Sequence, residues 1–229
     1  MIRSADFSKT HTLILLSGGL DSLYVLHQAL TRTDDVLWVH HVNLINREQR
    51  HRAEALACER IVAWCTEHTR PFRYTESTID HSAFELFGRD LLMVAFEAGV
   101  VVQNAHALWK RGFDRWMLGY CQEEANEVVN GVSVASSGRR SLTETCIATS
   151  AAPLIAPPLH SRPLLSKRAQ LEALPAELAA LAWTCRRPIW HQDTPAECGT
   201  CKTCKLMQAI RVQLPPPTSN PNATPRATP

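Results

Sequence analysis

A short stretch of glycines, hydroxyls and one carboxylate lies near the amino end of the chain, at Ser17-Gly18-Gly19-Leu20-Asp21-Ser22. Two glycines allow a tight turn and a close approach of the backbone to a ligand, and serine hydroxyls can donate to phosphate oxygens. If a helix begins here, its first N–H groups and its dipole favour a bound anion. We therefore predict an anion site from Leu16 to Ser22. The alternative is a turn that needs glycine for geometry and Asp or Ser for capping.

A second chemical group stands near the other end, where four cysteines follow the pattern Cys185-x12-Cys198-x2-Cys201-x2-Cys204. Four thiolates suit a tetrahedral zinc ion, and a closed set leaves no position for water, so the metal should hold the C-terminal segment folded. An iron–sulfur cluster would use the same ligands, and the spacing favours zinc only weakly. The other four cysteines lack ligand spacing and are predicted to be core or loop thiols: Cys58, Cys65, Cys121 and Cys146.

The elements around the first group form a βαβ pattern. Residues 12–16 are a continuous apolar run, the apolar positions from Asp21 onward recur at helical spacing, and Val36-Leu37-Trp38-Val39 is a second apolar run. A right-handed βαβ unit places the loop after its first strand at the carboxyl edge of the sheet, where α/β proteins bind ligands. The loop at Ser17 is therefore expected at that edge.

The alternation continues along the chain. We predict a helix over 47–67, a strand over 72–74, a buried helix over 91–108, a strand over 116–119, an irregular segment over 131–163 and helix over 166–182, with Pro175 near a turn or helix start. The predicted fold class is α/β, a doubly wound and mainly parallel sheet with a small C-terminal zinc-binding segment. The predicted units are an α/β domain over 1–160 that contains the Ser17 loop, which the resemblance described below makes an ATP-binding domain, then a helical and zinc-binding region over 161–213, and a disordered Pro-rich tail over 214–229.

Composition narrows the function classes. The chain has 229 residues, 45% of them hydrophobic and 20% charged, with a formal net charge of +2. That charge is too small for a protein whose affinity comes from neutralising many phosphates of duplex nucleic acid. No signal peptide is apparent at the start, and the longest apolar run, 91–102, is shorter than the roughly 20 residues that cross a bilayer. We expect a cytoplasmic protein without a membrane partner, and a homodimer is compatible with the sequence.

The Ser-Gly-Gly-x-Asp-Ser loop resembles the pyrophosphatase loop of the N-type ATP pyrophosphatases, which cleave ATP between its α and β phosphates. Together with the cysteine set it resembles 7-cyano-7-deazaguanine synthase, the nitrile-forming enzyme of the queuosine precursor pathway. Further blocks in the same order carry the resemblance over about 13–208: Gln49-Arg50-His51, Gly88-Arg89, Pro163-Leu164 and Lys167.

The resemblance implies ATP and Mg²⁺ at the Ser17 loop, with Arg50 and His51 also binding the nucleotide. Asp21, Arg89 and Lys167 would be catalytic, and Lys167 would begin a helix and reach the phosphates without contributing to folding stability. The implied reaction adenylates 7-carboxy-7-deazaguanine and converts it with ammonia to 7-cyano-7-deazaguanine. Asp90 departs from the family's Asn, and the family's acceptor segment after Cys121 is missing.

Two rival functions remain open. An altered acceptor site could join the activated acid to an amine of another molecule, including a protein, and stop at the amide. The other rival function is that of a non-catalytic zinc-ribbon module that binds protein or nucleic acid. Further enzymes with this loop, such as tRNA thiolases and lysidine synthases, carry lower weight because they would be expected to have additional tRNA-binding surface.

Overall fold

The computed structural model describes residues 8–85, 90–125, 128–129, 132–150, 159–161 and 164–213, with side chains described over 8–85, 90–123, 142–150 and 164–213. In chain order the elements are β1 (His11–Leu15), α1 (Leu20–Arg32), β2 (Val36–Ile45), α2 (His51–His68), β3 (Arg73–Asp80), α3 (Asp90–Trp109), β4 (Arg115–Leu118), α4 (Gln122–Ala125), β5 (Val128–Val129), β6 (Val132–Ser133), α5 (Val134–Thr149), β7 (Leu159–Ser161), α6 (Lys167–Glu172), α7 (Ala176–Ala179), β8 (Ile189–His191), β9 (Thr194–Ala196) and α8 (Lys202–Gln213).

Five parallel strands form the central sheet in the order β3-β2-β1-β4-β7. The chain proceeds outward from β1 to β3 and then crosses back to β4 on the other side of β1. This reversal creates a crevice at the carboxyl ends of β1 and β4, where ligands bind in open α/β sheets. The loop that follows β1 lies at the carboxyl edge of the sheet, as predicted, and the strand order shows that this is also the topological switch point.

Helices cover both faces of the sheet, so the predicted doubly wound α/β class is confirmed. All five residues of β1 are buried, and they alternate between the two cores. One core contains Ile14 and the buried faces of α1, α2 and the C-terminal helices. The other contains Leu13 and Leu15 with the small residues of α3 and with Leu142 and Cys146 of α5. A strand buried on both faces needs the continuous apolar run that the sequence has there.

The C-terminal helices belong to the first of these cores. Leu174, Leu178, Met207 and Ile210 lie in the same buried cluster as the apolar side of α1. The predicted boundary at about residue 160 stays a prediction. The elements on either side of it both contact the α/β part of the chain, because β7 is the edge strand of the sheet and α6 packs on α1. The predicted disordered tail over 214–229 lies outside the described residues.

The predicted irregular segment contains a helix. Residues 134–149 form α5, which packs against α3. The sequence of α5 is rich in Ser and Thr and shows weak periodicity, so packing rather than propensity explains the helix. Gly99 makes the close approach feasible, because a Cβ there would lie 2.5 Å from the Cβ of Thr149 and 2.8 Å from the carbonyl oxygen of Cys146.

Helix α3 is 20 residues long and, by length and composition alone, could cross a membrane. The apolar run was expected to be too short for this. Its small residues, including Ala95, Ala98 and Gly99, are buried on the side that faces the sheet and α5, and 33% of its most apolar window is buried. Phe96 and Leu108 on its outer side are exposed.

Candidate active site

The loop between β1 and α1 is a tight turn held by glycine. Gly18 has φ +74°, and a Cβ there would lie 2.7 Å from the carbonyl oxygen of Glu54 in α2. Both facts exclude a larger residue at this position. The first helical hydrogen bond of α1 runs from the N–H of Leu23 to the carbonyl oxygen of Gly19, at 3.0 Å. The N–H groups of Leu20, Asp21 and Ser22 therefore have no helical partner, which is the arrangement at a helix N-terminus that can bind an anion.

The two serine hydroxyls of the loop have different environments. Ser22 is buried, and its hydroxyl donates to the carbonyl oxygen of Gly19 at 3.0 Å and accepts the N–H of Ser17 at 3.1 Å. The hydroxyl of Ser17 is exposed and lies 3.0 Å from that of Ser22. Ser22 thus shapes the loop, whereas Ser17 can offer its hydroxyl to a ligand.

Asp21 and Lys167 form an ion pair at the mouth of this loop. Nζ of Lys167 donates to Oδ2 of Asp21 at 2.7 Å, and Lys167 is only 4% exposed. Oδ1 of Asp21 is also buried, and no donor from the described part of the chain reaches it. Lys167 begins α6 as predicted, but its burial and its ion pair disagree with the expectation that it contributes nothing to folding stability. The reason is that α6 packs on α1 and brings the ammonium to the carboxylate.

The start of α6 is held in place by two caps. The hydroxyl of Ser166 accepts the N–H of Ala169 at 3.2 Å. The carboxylate of Glu123 accepts the N–H of Lys167, at 3.1 and 3.2 Å to its two oxygens. Both are N-terminal caps that fix the direction in which the lysine side chain leaves the helix.

A layer beneath the loop supports it from the sheet side. Nδ1 of His41 lies 2.7 Å from the carbonyl oxygen of Leu16, and Sγ of Cys58 lies 3.7 Å from the same oxygen. Burial lowers the pKa of His41 and raises that of the Cys58 thiol, so both are neutral at pH 7. The contact with a carbonyl requires the proton on Nδ1 of His41.

All four cysteines that were predicted to be core or loop thiols, Cys58 among them, are buried.

Arg50, predicted to bind the nucleotide, is enclosed by carboxylates. Its guanidinium pairs with Asp90, and its Nε lies 3.2 Å from both Glu48 and Glu54. Burial alone would lower the pKa of Arg50, but the three carboxylates outweigh burial and raise it. Arg186 adds a second guanidinium, 3.2 Å from Glu48. The described contacts of Arg50 are thus to these carboxylates and not to the Ser17 loop.

The remaining predicted residues occupy varied positions. The side chains of Leu16 and Leu20 are buried in the core or beside it, so only their backbone can face a ligand. His51 begins α2, and burial, followed by the charge of Arg52, lowers its pKa. No described contact joins His51 to the loop. Arg89 lies outside the described residues.

The four predicted metal ligands lie together. The sulfur atoms of Cys185, Cys198, Cys201 and Cys204 are all within 4.8 Å of one another. Four thiolates around one zinc, with Zn–S bonds of about 2.3 Å, would be about 3.8 Å apart. The 3.9 Å between the sulfurs of Cys198 and Cys204 agrees with that value. A four-iron cluster spreads its thiolates farther apart, so the geometry fits a single tetrahedral ion better.

Backbone N–H groups prepare these sulfurs for a metal. The N–H of Cys201 donates to Sγ of Cys198 at 3.3 Å, and the N–H of Cys204 donates to Sγ of Cys201 at 3.4 Å. The bond from the N–H of Cys201, followed by that from Thr200, lowers the pKa of Cys198 to about 6. At Cys198 the thiolate, which is the form that binds metal, is thereby favoured near neutral pH. Burial raises the pKa of Cys185 and Cys204, so these two would lose their protons when a metal binds.

Comparisons with protein-family models and with curated proteins find no match. Among solved structures the chain is similar to "U34-tRNA thiolase NcsA from Methanococcus maripaludis with its [4Fe-4S] cluster", at 14% sequence identity and a TM-score of 0.44. The similarity covers 89% of this chain and 64% of that chain, so this chain spans under two thirds of the thiolase's length. Neither the activity nor the cluster of that protein transfers to this chain on such a likeness.

One residue of the site escaped the sequence analysis. Gly119 follows β4, and a Cβ there would lie 2.2 Å from the backbone nitrogen of Ser22 and 2.4 Å from the carbonyl carbon of Asp21. Only glycine lets the first turn of α1 lie directly on the end of β4. A glycine as the last residue of the predicted strand over 116–119 is the signal that could have identified it.

Proposed function

We propose that this protein is an ATP-dependent ligase that releases AMP and pyrophosphate. The observation that carries the proposal is the arrangement at the switch point of the sheet. There a glycine turn at a helix N-terminus lies beside a buried ammonium, that of Lys167, held 2.7 Å from Asp21. Backbone N–H groups, a helix dipole and a fixed cation are the features that bind phosphates and stabilise charge that develops on them.

The chemistry explains why these groups are needed. A carboxylate that attacks the α-phosphate of ATP brings two anions together, so the site must supply cations and N–H donors. In the proposal Lys167 neutralises charge on the α-phosphate, while Ser17 and the first N–H groups of α1 hold the pyrophosphate portion. Asp21, with Oδ1 buried and not bonded within the described chain, has an oxygen that suits a hard cation. A bound Mg²⁺ would neutralise phosphate charge.

The proposed substrate is 7-carboxy-7-deazaguanine. Its carboxylate forms a bond to the α-phosphorus, and pyrophosphate leaves. Ammonia then displaces AMP to give the amide, and a second ATP activates the amide oxygen, whose departure with AMP leaves the nitrile. Support for this substrate comes from the order of the sequence motifs from the loop to the cysteine set. The proposed role of the zinc ion is to hold the C-terminal segment through four thiolates.

A second candidate joins the adenylated acid to an amine of another molecule, such as a protein. The observation that favours it is the departure from the resembled family in the acceptor half. The acceptor segment after Cys121 is missing, and Asp90, which pairs with Arg50, stands where that family has a neutral Asn.

The test is an incubation of the protein with ATP, Mg²⁺ and 7-carboxy-7-deazaguanine, with and without ammonia, followed by mass spectrometry of small molecules and of added proteins. A nitrile that requires ammonia supports the first candidate. A covalent adduct of the deazaguanine acyl group on an amine supports the second. Absence of AMP under every condition contradicts both, and absence of any ATP binding would return the non-catalytic zinc-ribbon module to consideration.

A further inference from the structure

The chain just before the cysteine centre touches the phosphate loop directly. The N–H of Trp183 donates to the carbonyl oxygen of Gly18 at 2.8 Å. The carbonyl oxygen of Trp183 lies 3.5 Å from the place that a Cβ of Gly19 would occupy. The backbone of one residue therefore packs against both glycines of the loop.

This hydrogen bond determines how the peptide between Gly18 and Gly19 is oriented. In a trans peptide the C=O and the following N–H point in opposite directions. With the carbonyl of Gly18 held by Trp183, the N–H of Gly19 faces away from Trp183. There it makes a long, exposed contact of 3.4 Å with the hydroxyl of Ser17. An N–H directed to the exposed side of a glycine turn is available to an anion.

Trp183 is in turn attached to the cysteine centre. Its indole N–H donates to the carbonyl oxygen of Cys185 at 2.9 Å. Cys185 is buried, and its sulfur accepts the N–H groups of Arg187 and Cys198, each at 3.3 Å. A continuous set of contacts thus leads from a metal ligand through Trp183 to Gly18.

We propose that Trp183 is a positioning residue through which the four-cysteine centre orients the phosphate loop, so that metal occupancy controls the affinity for a nucleoside triphosphate. The nucleotide part rests on the proposed function, whereas the bracing of the loop rests on the contacts alone. A metal that only stabilised the C-terminal segment would leave the loop and its affinity unchanged. Here the metal acts on the site from a distance, without touching the substrate.

The test compares Trp183→Phe with Trp190→Phe in the full, metal-loaded protein. Trp190 lies in β8, between Cys185 and Cys198 in the sequence, and its side chain contacts the guanidinium of Arg52, 4.5 Å above its ring. Trp183→Phe removes the indole N–H together with the pyrrole part of the ring, and Trp190→Phe makes the same change in the control. Trp183→Phe should weaken ATP binding about fivefold, as expected for one lost hydrogen bond, and speed amide hydrogen exchange over 17–22. Metal content should stay at the wild-type level. Trp190→Phe should change neither quantity.

Metal removal with a chelator provides a second measurement on the wild-type protein. It should increase hydrogen exchange over 17–22 and weaken ATP binding by about tenfold, because both bonds of Trp183 are loosened. The proposal would be overturned if the two tryptophan variants had equal hydrogen-exchange rates and equal ATP affinities. It would also be overturned if the exchange rate over 17–22 were the same with and without the metal. If the wild-type protein binds no ATP, the proposed function fails, and the exchange measurements still decide whether Trp183 braces the loop.

Discussion

At the residue scale, variants of the pair formed by Lys167 and Asp21 can distinguish a chemical role of the lysine from a structural one. Lys167→Ala should lower AMP formation roughly 100-fold, because the lost ammonium would stabilise charge in the transition state. It should also lower the free energy of unfolding by about 2–3 kcal/mol, because a largely buried carboxylate loses its partner. Single-turnover AMP formation and urea denaturation measure the two effects.

The matched control is Arg168→Ala, one residue further along α6. Arg168 is about half exposed and pairs with Glu172 on the surface, so both quantities should stay close to wild type. The double variant Asp21→Asn with Lys167→Met removes both charges. It should recover much of the stability but none of the AMP formation. Recovery of AMP formation in the double variant would show that the pair is only structural.

Residue types and spacing were enough to predict the glycine turn after β1 and the grouping of four cysteines, since glycines, hydroxyls and cysteines are recognisable in a linear sequence. The partners of charged residues were not. Arg50 was expected at the nucleotide because it lies in a motif, yet Asp90, 40 residues away in sequence, pairs with it. Such pairings depend on packing between elements, which periodicity does not show.

At the element scale, the pairing of β2 with β3 buries a histidine that should make stability depend on pH. His40 donates and accepts hydrogen bonds with Thr75 and Ser77, at 2.8 and 2.9 Å. Burial, followed by the charge of His41, lowers the pKa of His40 from 6.5 to about 4. The unfolded chain therefore binds a proton that the folded chain does not, and the stabilisation is present above about pH 6.5 and lost as the pH falls towards about 4.

Lowering the pH from about 7 to about 5 should therefore reduce the free energy of unfolding by about 2 kcal/mol through His40 alone. Denaturation of metal-loaded protein at several pH values measures the slope. His40→Gln, which can keep a hydrogen bond to a hydroxyl, should reduce the slope by that amount. His68→Gln, an exposed site at the end of α2, should not. Equal slopes in the two variants would show that His40 is not buried in its neutral form.

The junction of β4 with α1 gives a second test at this scale. Gly119→Ala should displace the first turn of α1, because the added methyl would overlap the backbone of Asp21 and Ser22. We expect a loss of about 1–3 kcal/mol in the free energy of unfolding and weaker ATP binding. Calorimetry measures both. A variant as stable as the wild type, with equal ATP affinity, would contradict the described contact.

The strands and helices that carry the site could be predicted from the periodicity of apolar residues. The observed β1, α1 and β4 lie within a residue or two of their predicted bounds. Helix α5 did not follow, because its sequence is poor in helix signals and its stability comes from contact with α3. The lengths of β2 and β3 were also underestimated. Their second halves carry His41, Asn43 and other polar residues that interrupt the apolar pattern.

At the scale of the whole molecule, the cysteine centre connects the C-terminal segment to the α/β core. Cys201→Ser should lower the bound zinc well below one ion per chain and lower the melting temperature, because three thiolates hold the ion less well than four. Cys65→Ala removes a buried core thiol instead and should leave the zinc content unchanged. Metal analysis and thermal denaturation provide the measurements, and iron with visible absorption in place of zinc would contradict the assignment.

The site at the topological switch point of the sheet is proposed to cleave ATP between its α and β phosphates. The most direct measurement is a single-turnover reaction of ATP, Mg²⁺ and 7-carboxy-7-deazaguanine in which AMP, ADP, pyrophosphate and phosphate are separated, with Asp21→Ala and Arg168→Ala as the paired variants. We expect AMP and pyrophosphate in equal amounts from the wild type and from Arg168→Ala, and loss of both products from Asp21→Ala. If the products are ADP and phosphate, or if Asp21→Ala forms AMP as the wild type does, the proposed reaction is wrong.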